Sequence, residues 1–422
     1  MDIYRIKGKK KLSGEVKISG AKNAALPVIV ASLLAEGKTV LKNVPDLQDI
    51  RTIIKVIEVL GAETDFDKKK GTLTIEVGKI QNNEVPYELV KTMRASVYVM
   101  GPLLARTGEA DVSLPGGCAI GERPVDIHLS GFEAMGAEIS LEHGYIRATT
   151  DRLHGAEFTM PKVSVGATAN LIMGAVLARG KTVLENCAME PDVVDLGEFL
   201  IQMGAKIEGL GTERIEIQGV KKLRPVTYSI MPDRIEAGTF LLAGAITRGD
   251  VTITHAVPAH ITALLTTLEE MGFNLEVEKD RVTIQSTRRL TGTIIKTLPH
   301  PGFPTDLQAP IMSLATTIPG ISTITETIFE NRFTHVPELR RMGADITIEG
   351  QVAIIRGIRT LSSAPVMMSD LRAGAALVLA ALGAQGTTEI RRIYHADRGY
   401  EKLEEKLSSL GASIERVSGG KG

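Results

Sequence analysis

Apolar residues encircle some segments of this chain and alternate with polar ones in others. Leu171-Ile172-Met173-Gly174-Ala175-Val176-Leu177 leaves no polar face, which predicts a helix enclosed on every side. Ala205-Lys206-Ile207-Glu208 and Arg214-Ile215-Glu216-Ile217 read as hairpin arms around Gly209 and Gly211. Added to these are a strand at Glu157-Phe158-Thr159-Met160, a helix over 165–178, a strand opening Lys181-Thr182-Val183-Leu184 and a helix over 196–203. The order is strand-helix-strand-helix-strand-strand. It returns next along the chain with Val226-Thr227-Tyr228-Ser229, a helix over 239–245 and a hairpin about Lys279-Asp280.

Glycines count the copies. One ends a helix at each of Gly61, Gly136, Gly204, Gly272, Gly343 and Gly411, and the intervals are 75, 68, 68, 71 and 68 residues. A second series, Gly37, Gly108, Gly180, Gly249, Gly320 and Gly386, precedes the first by 24, 28, 24, 23, 23 and 25 residues. The chain is a six-fold repeat. Copy two is the long one, and its extra length falls in Pro115-Gly116-Gly117-Cys118-Ala119-Ile120-Gly121-Glu122-Arg123-Pro124. A departure in one copy is where function is grafted onto a scaffold.

Copy six ends too early for its last strand, which Ile3-Tyr4-Arg5-Ile6 can supply. This predicts one domain over 22–229 and another combining 1–21 with 230–422, each of three copies, with helices inside and sheets outside. Lys22, Arg94, Ser164, Asp233, Asp306 and Arg372 sit near the starts of the six first helices. An approximate threefold arrangement would converge those positive helix ends on one face of each domain, and two such faces would make an anion trap.

Composition narrows the function classes. With 43% apolar residues the chain can build sizeable cores, and a net charge of −1 gives no bulk attraction to nucleic acid or anionic membrane. Aromatic residues make up 4%, with no basic stretch interleaved among them, so a stacking platform for single strands is missing. The apolar runs over 24–35 and 373–384 are shorter than the ~18 residues of a membrane span, and the first residues carry no signal core. A cytoplasmic protein with two free thiols, Cys118 and Cys187, is the expectation.

Cys118 follows two glycines and precedes Arg123, a neighbour able to make a thiol reactive, whereas Cys187 follows an ordinary strand and reads as a small buried hydrophobe. Arg332, Arg372 and Arg398 fall at corresponding strand ends or helix starts. Singly each is a solvated charge; together they suit a ligand bearing phosphate and carboxylate. Asp306 is explained by N-capping, yet among arginines it could also take a proton from a substrate hydroxyl. Gly174 to Gly180-Lys181-Thr182 misses phosphate-loop spacing by one residue and ends a helix instead of opening one. The histidines show no metal-ligand spacing, so neither metal nor other cofactor is expected.

Ser19-Gly20-Ala21-Lys22-Asn23-Ala24, Pro115-Gly116-Gly117-Cys118-Ala119-Ile120-Gly121, Arg123-Pro124-Val125-Asp126 and Phe303-Pro304-Thr305-Asp306 together resemble the enolpyruvyl transferases that act on UDP-N-acetylglucosamine. The resemblance covers essentially the whole chain. It implies an α/β fold of two inside-out α/β barrel domains, each of three βαβαββ repeats. It also implies transfer of the enolpyruvyl group of phosphoenolpyruvate to the sugar 3-hydroxyl with release of phosphate, opening peptidoglycan synthesis. Cys118 would be the acid at C3 and could form an adduct with the enolpyruvyl carbon. Lys22, Arg123 and Arg398 would hold the phosphate, Arg332 and Arg372 the carboxylate, and Asp306 would orient and deprotonate the hydroxyl. Asn23, Arg94, Arg123, Pro124, Val125, Asp126, Ile127, Lys162, Val163, Ser164, Val165 and Ile328 would line the nucleotide-sugar site. The sister enzymes acting on shikimate 3-phosphate share the repeats and arginines but lack the cysteine loop. A non-enzymatic repeat scaffold would give no copy a privileged loop.

Overall fold

The computed structural model describes residues 2–91, 93–114, 125–287 and 289–418. Contacts divide the chain into two compact units, one of residues 1–19 with 232–422 and one of residues 20–231. Each has its own apolar core. In the described residues no helix is long and apolar enough to cross a membrane.

Three helices form the centre of each unit. In the first unit they are Arg234–Ile246, Gln308–Ala315 and Leu371–Gly383, packed on one another. Residues 235–246, 308–315 and 372–383 are all buried, which is what helices without a polar face require. The second unit uses Lys22–Ala31, Met100–Thr107 and Val165–Ala175. Sheets enclose these helices, three four-stranded sheets in each unit.

The sheets share one plan. In copy three the border strand Glu157–Thr159 runs parallel to Lys181–Glu185, which pairs antiparallel with Arg214–Gln218, and Lys206–Glu208 lies outermost. In copy six the hairpin partner of Ser413–Val417 is Ile3–Lys7, with Tyr4 opposite Arg416. Residues 226–229 do not belong to copy four, where the order of elements along the chain puts them: Thr227–Ser229 runs parallel to Gly37–Lys42 of copy one. Copy four takes Ser13–Lys17, parallel to Asp250–Thr254. Each of these strands precedes one copy in sequence and borders another in space, because the chain changes unit immediately after it.

The change-over segments are held by polar contacts. Ser19 O accepts from Asp233 N at 2.8 Å, and Met231 O accepts from Ala21 N at 2.8 Å. Glu236 then fixes Ser19, accepting its backbone N–H at 2.7 Å while Lys406 Nζ donates to both Glu236 and Ser19 Oγ at 2.6 Å. Tyr228 donates its hydroxyl to Asp195 Oδ1 at 2.8 Å, tying the border strand to the helix Pro191–Met203.

All six helix-ending glycines have positive φ, between 89° and 108°. A side chain there would cost about 1–2 kcal/mol even where space is open. Gly204 has φ +108° and nothing within 4 Å of a built Cβ; Gly78 has the same open space without the positive φ. Gly204→Ala is therefore expected to lower stability by about 1 kcal/mol in urea unfolding, and Gly78→Ala to leave it within about 0.5 kcal/mol. Equal effects would remove the backbone explanation.

Burial pushes the Asp195 carboxyl up to about 7, against the lowering influence of the Tyr228 hydrogen bond. Between the unfolded value near 4 and this raised value the folded chain binds the extra proton, so this group's stabilisation is present at low pH and is lost as pH rises through about 7. Asp195→Asn should flatten that fall. Thermal unfolding at pH 5 and pH 8 should show a smaller difference in the variant, and an unchanged difference would contradict the assignment.

Candidate active site

The second unit contributes Lys22, the first residue of its helix and buried, with Nζ donating to Asp49 Oδ2 at 3.3 Å. A cation at a helix N-terminus opposes the helix dipole, and a buried one also loses hydration. Asp49, buried in the first turn of Gln48–Val59, offsets part of both costs. Asn23 beside it is half-buried. Ser164 caps Val165–Ala175, its hydroxyl accepting from Ala167 N at 3.2 Å; Val163 and Val165 are half-buried and Lys162 is exposed. Arg94 opens the 3-10 turn Arg94–Val99. Val125 precedes the helix Asp126–Ala134, in which Asp126 is exposed and Ile127 buried. Cys118, Arg123 and Pro124 lie outside the described residues. Cys187 is buried, and burial pushes its thiol up to about 12, as suits an inert core cysteine.

In the first unit one carboxylate joins two arginines far apart in sequence. Arg332 Nη2 donates to Asp306 Oδ1 at 2.7 Å and Arg372 Nη2 to Asp306 Oδ2 at 2.8 Å. Asp306 lies in the 3-10 turn Thr305–Leu307 leading into Gln308–Ala315. Arg372 is the second residue of Leu371–Gly383, whose start Asp370 caps by accepting from Arg372 N and Ala373 N. Both guanidiniums are buried, Arg332 at 4% exposure and Arg372 at 5%, while the Asp306 side chain keeps 25%. Burial works most strongly against the charge on Arg372, but Asp306, Tyr400 and Asp233 together outweigh it and raise the pKa above the ordinary arginine value. Two guanidiniums thus share one carboxylate, with Asp233 and Asp370 also acting on them. Among the described residues, Arg332 Nε and Arg372 Nη1 are buried without a hydrogen-bond partner. An anion of carboxylate shape would satisfy such donors.

Residues that the sequence reading missed hold this arrangement. Glu326 is buried; its Oε1 accepts from Thr297 Oγ1 at 2.9 Å, Ile328 N at 2.8 Å and Phe329 N at 3.2 Å, and its Oε2 from Thr305 Oγ1 at 2.9 Å. One carboxylate therefore positions both the residue before Asp306 and the loop carrying Ile328. Phe329 lies under Arg332, with the guanidinium carbon 5.3 Å from the ring centre, and Tyr400 under Arg372 at 5.6 Å. Gln308 is fully buried with both amide atoms unpartnered. No spacing in the sequence marks Glu326, since it follows an ordinary β-branched strand. Arg398 ends the 3-10 turn Ile393–Arg398, half-buried; burial first, and then the Arg398 charge, hold His395 below the usual histidine range.

Known proteins resemble the chain throughout its length. A family profile described as EPSP synthase (3-phosphoshikimate 1-carboxyvinyltransferase) matches residues 6–407. A UDP-N-acetylglucosamine 1-carboxyvinyltransferase of Psychrobacter sp. (strain PRwf-1) is 54% identical over 421 residues, covering 99% of this chain and 97% of the relative. A UDP-N-acetylglucosamine 1-carboxyvinyltransferase 2 of Carboxydothermus hydrogenoformans is 53% identical over 99% of this chain and 100% of its own. Among solved structures, the enolpyruvyl transferase NikO from Streptomyces tendae superposes with TM-score 0.90 at 27% identity over 99% of both chains. EPSP synthase from Acinetobacter baumannii gives TM-score 0.79 at 19% identity, over 99% of this chain and 100% of its own, a likeness of fold.

Asp306→Ala would leave two buried guanidiniums without their shared carboxylate, at a cost of about 3 kcal/mol. Urea unfolding should show that loss, and millimolar acetate should recover part of it in the variant but not in the wild type. Unchanged stability would mean that the pair of ion pairs contributes nothing.

Proposed function

Because this chain belongs to the EPSP synthase family of enolpyruvyl transferases, we infer that it transfers the enolpyruvyl group of phosphoenolpyruvate to the 3-hydroxyl of UDP-N-acetylglucosamine. Phosphate is released, and the product opens peptidoglycan synthesis. One observation of geometry carries the reaction type: Asp306 bracketed by Arg332 and Arg372, a base and two carboxylate grips fixed together. The full-length likeness to transferases named for UDP-N-acetylglucosamine favours that acceptor over shikimate 3-phosphate. Small-molecule substrates and the composition fit a cytoplasmic enzyme.

Phosphoenolpyruvate accepts a proton at C3, which makes C2 electrophilic; the sugar hydroxyl oxygen bonds to C2 and gives up its own proton. The C2–oxygen bond to phosphate then breaks as a proton leaves C3, regenerating the vinyl group on the sugar. Cys118 would donate the C3 proton, since a thiol of ordinary pKa, about 8.5, is largely protonated at neutral pH. Asp306 would take the hydroxyl proton. Arg332 and Arg372 would hold the substrate carboxylate through the nitrogens that Asp306 does not occupy, stabilising charge as it develops. Lys22, Arg123 and Arg398 would take the phosphate, and phosphate would also relieve the unfavourable position of Lys22 at its helix start. Asn23, Arg94, the segments 123–127 and 162–165, and Ile328 would receive the nucleotide sugar.

The test is incubation with phosphoenolpyruvate and either acceptor. Mass detection should find an enolpyruvyl group added to UDP-N-acetylglucosamine and none on shikimate 3-phosphate; the reverse would overturn the acceptor. Cys118→Ser should lower kcat by about 10²–10⁴-fold while Cys187→Ala leaves it nearly unchanged. A fully active Cys118→Ser enzyme would exclude the thiol as acid.

A further inference from the structure

The three core helices of the first unit run side by side, so their far ends also gather. Asp306 and Arg372 meet at the starting end. At the other end Ile246, Thr317 and Gly383 surround a hollow of about 240 Å³, whose remaining wall carries Lys9, Lys11, Arg248 and Arg359. No carboxylate lines it, and none of the four cations has a carboxylate partner among the described residues. In a chain of net charge −1, four unpaired cations round one small hollow are a local excess.

Compensation of helix dipoles does not account for them. Each helix C-terminus presents about half a negative charge, and three such ends fall short of four full positive ones. Among the described residues, Arg248 is the one cation of the four whose side chain bonds helix-end carbonyls, Nη1 to Ala245 O at 3.2 Å and Nη2 to Thr317 O at 2.9 Å, while Lys9 reaches Leu382 O at 2.9 Å through its backbone N–H alone. The others are left over. Lys9 is held below the usual lysine range by partial burial first and then by repulsion from Arg248 and Arg359, which fits a site short of negative charge.

The backbone is shaped to put these cations there. At the turn after the core helix five copies place the positive φ on glycine, at Gly37, Gly108, Gly180, Gly320 and Gly386; copy four places it on Arg248, φ 55°. Lys9 has φ 61°, and Gly8 before it approaches the helix end so closely that a Cβ would fall 2.0 Å from Ala384 O. Conformations that cost a side chain free energy persist where the surroundings impose them and cluster at ligand sites.

We propose that this hollow is an anion site, separate from the proposed catalytic residues, taking a small phosphate oxyanion with two or more negative charges. Lysines and arginines supply charge-assisted hydrogen bonds to such an ion, and the volume suits inorganic phosphate or pyrophosphate better than a nucleotide. The test is calorimetric titration of inorganic pyrophosphate, and separately of orthophosphate, at low ionic strength into wild type and Lys9→Gln/Arg359→Gln. Both replaced side chains are exposed, and neither is assigned to catalysis, so transferase activity should be retained. Phosphate bound by catalytic residues is common to both proteins, and the difference isolates the hollow. The variant should lose a binding component or bind it at least about tenfold more weakly, and Lys11→Gln should weaken it in the same direction. Identical titrations in wild type and both variants, or no binding to wild type, would overturn the proposal.

Discussion

A helix with no polar side has to be surrounded, and the rest of this architecture follows from that requirement. Five of the six core helices are of this kind, Met100–Thr107 alone ending on the polar Arg106 and Thr107, and three together still cannot cover their outer surfaces. Sheets do so, each presenting alternate residues inward: Leu73, Ile75 and Val77 of Thr72–Val77 are buried. The few polar side chains on the flanks of the core helices, such as Asn170 and Ser313, are hydrogen-bonded there, and charged groups are excluded. They collect at the ends, where backbone N–H or C=O groups are already unsatisfied.

The two ends of the first unit's helix bundle accordingly differ in kind. The starting end mixes signs: Asp233 and Asp370 cap, Asp306 and Arg372 pair, and Glu326 gathers hydroxyl and amide donors round itself. Among the described residues, the hollow at the finishing end is lined by cations and no carboxylate. A mixed end suits a reaction in which charge moves, because donors and acceptors of both signs are already fixed. An end of one sign suits retention of an ion.

Much of the fold was legible because glycine at a positive φ is a chemical necessity that repeats every 70 residues or so, and because apolar encirclement and strict alternation give helices and hairpins directly. The border strands were not. Glu84–Val85 and Val366–Met367 are two residues each, too short to carry a period, and which neighbour Ser13–Lys17 or Thr227–Ser229 joins is decided by tertiary packing. At the site, Asp306, Arg332 and Arg372 could each be singled out by position, but their bonding spans 26 and 66 residues, and no local pattern expresses it. Glu326 and Gln308 act through burial alone, which a single sequence does not display.

The exchanged borders bear on how such a chain could have arisen. If a three-copy ancestor doubled by simple tandem duplication, its halves would each be continuous; here the stretch before the first core helix completes the sheet of copy four, and the stretch before the fourth core helix completes that of copy one. The stretch 20–231 therefore interrupts the other half, separating its strands Ile3–Lys7 and Ser13–Lys17 from the rest of their sheets. The half over 20–231 holds all the strands of its three sheets in one stretch, whereas the other has complete sheets only when residues 3–17 are joined to 232–418, so the half over 20–231 can be excised without the other but not the reverse.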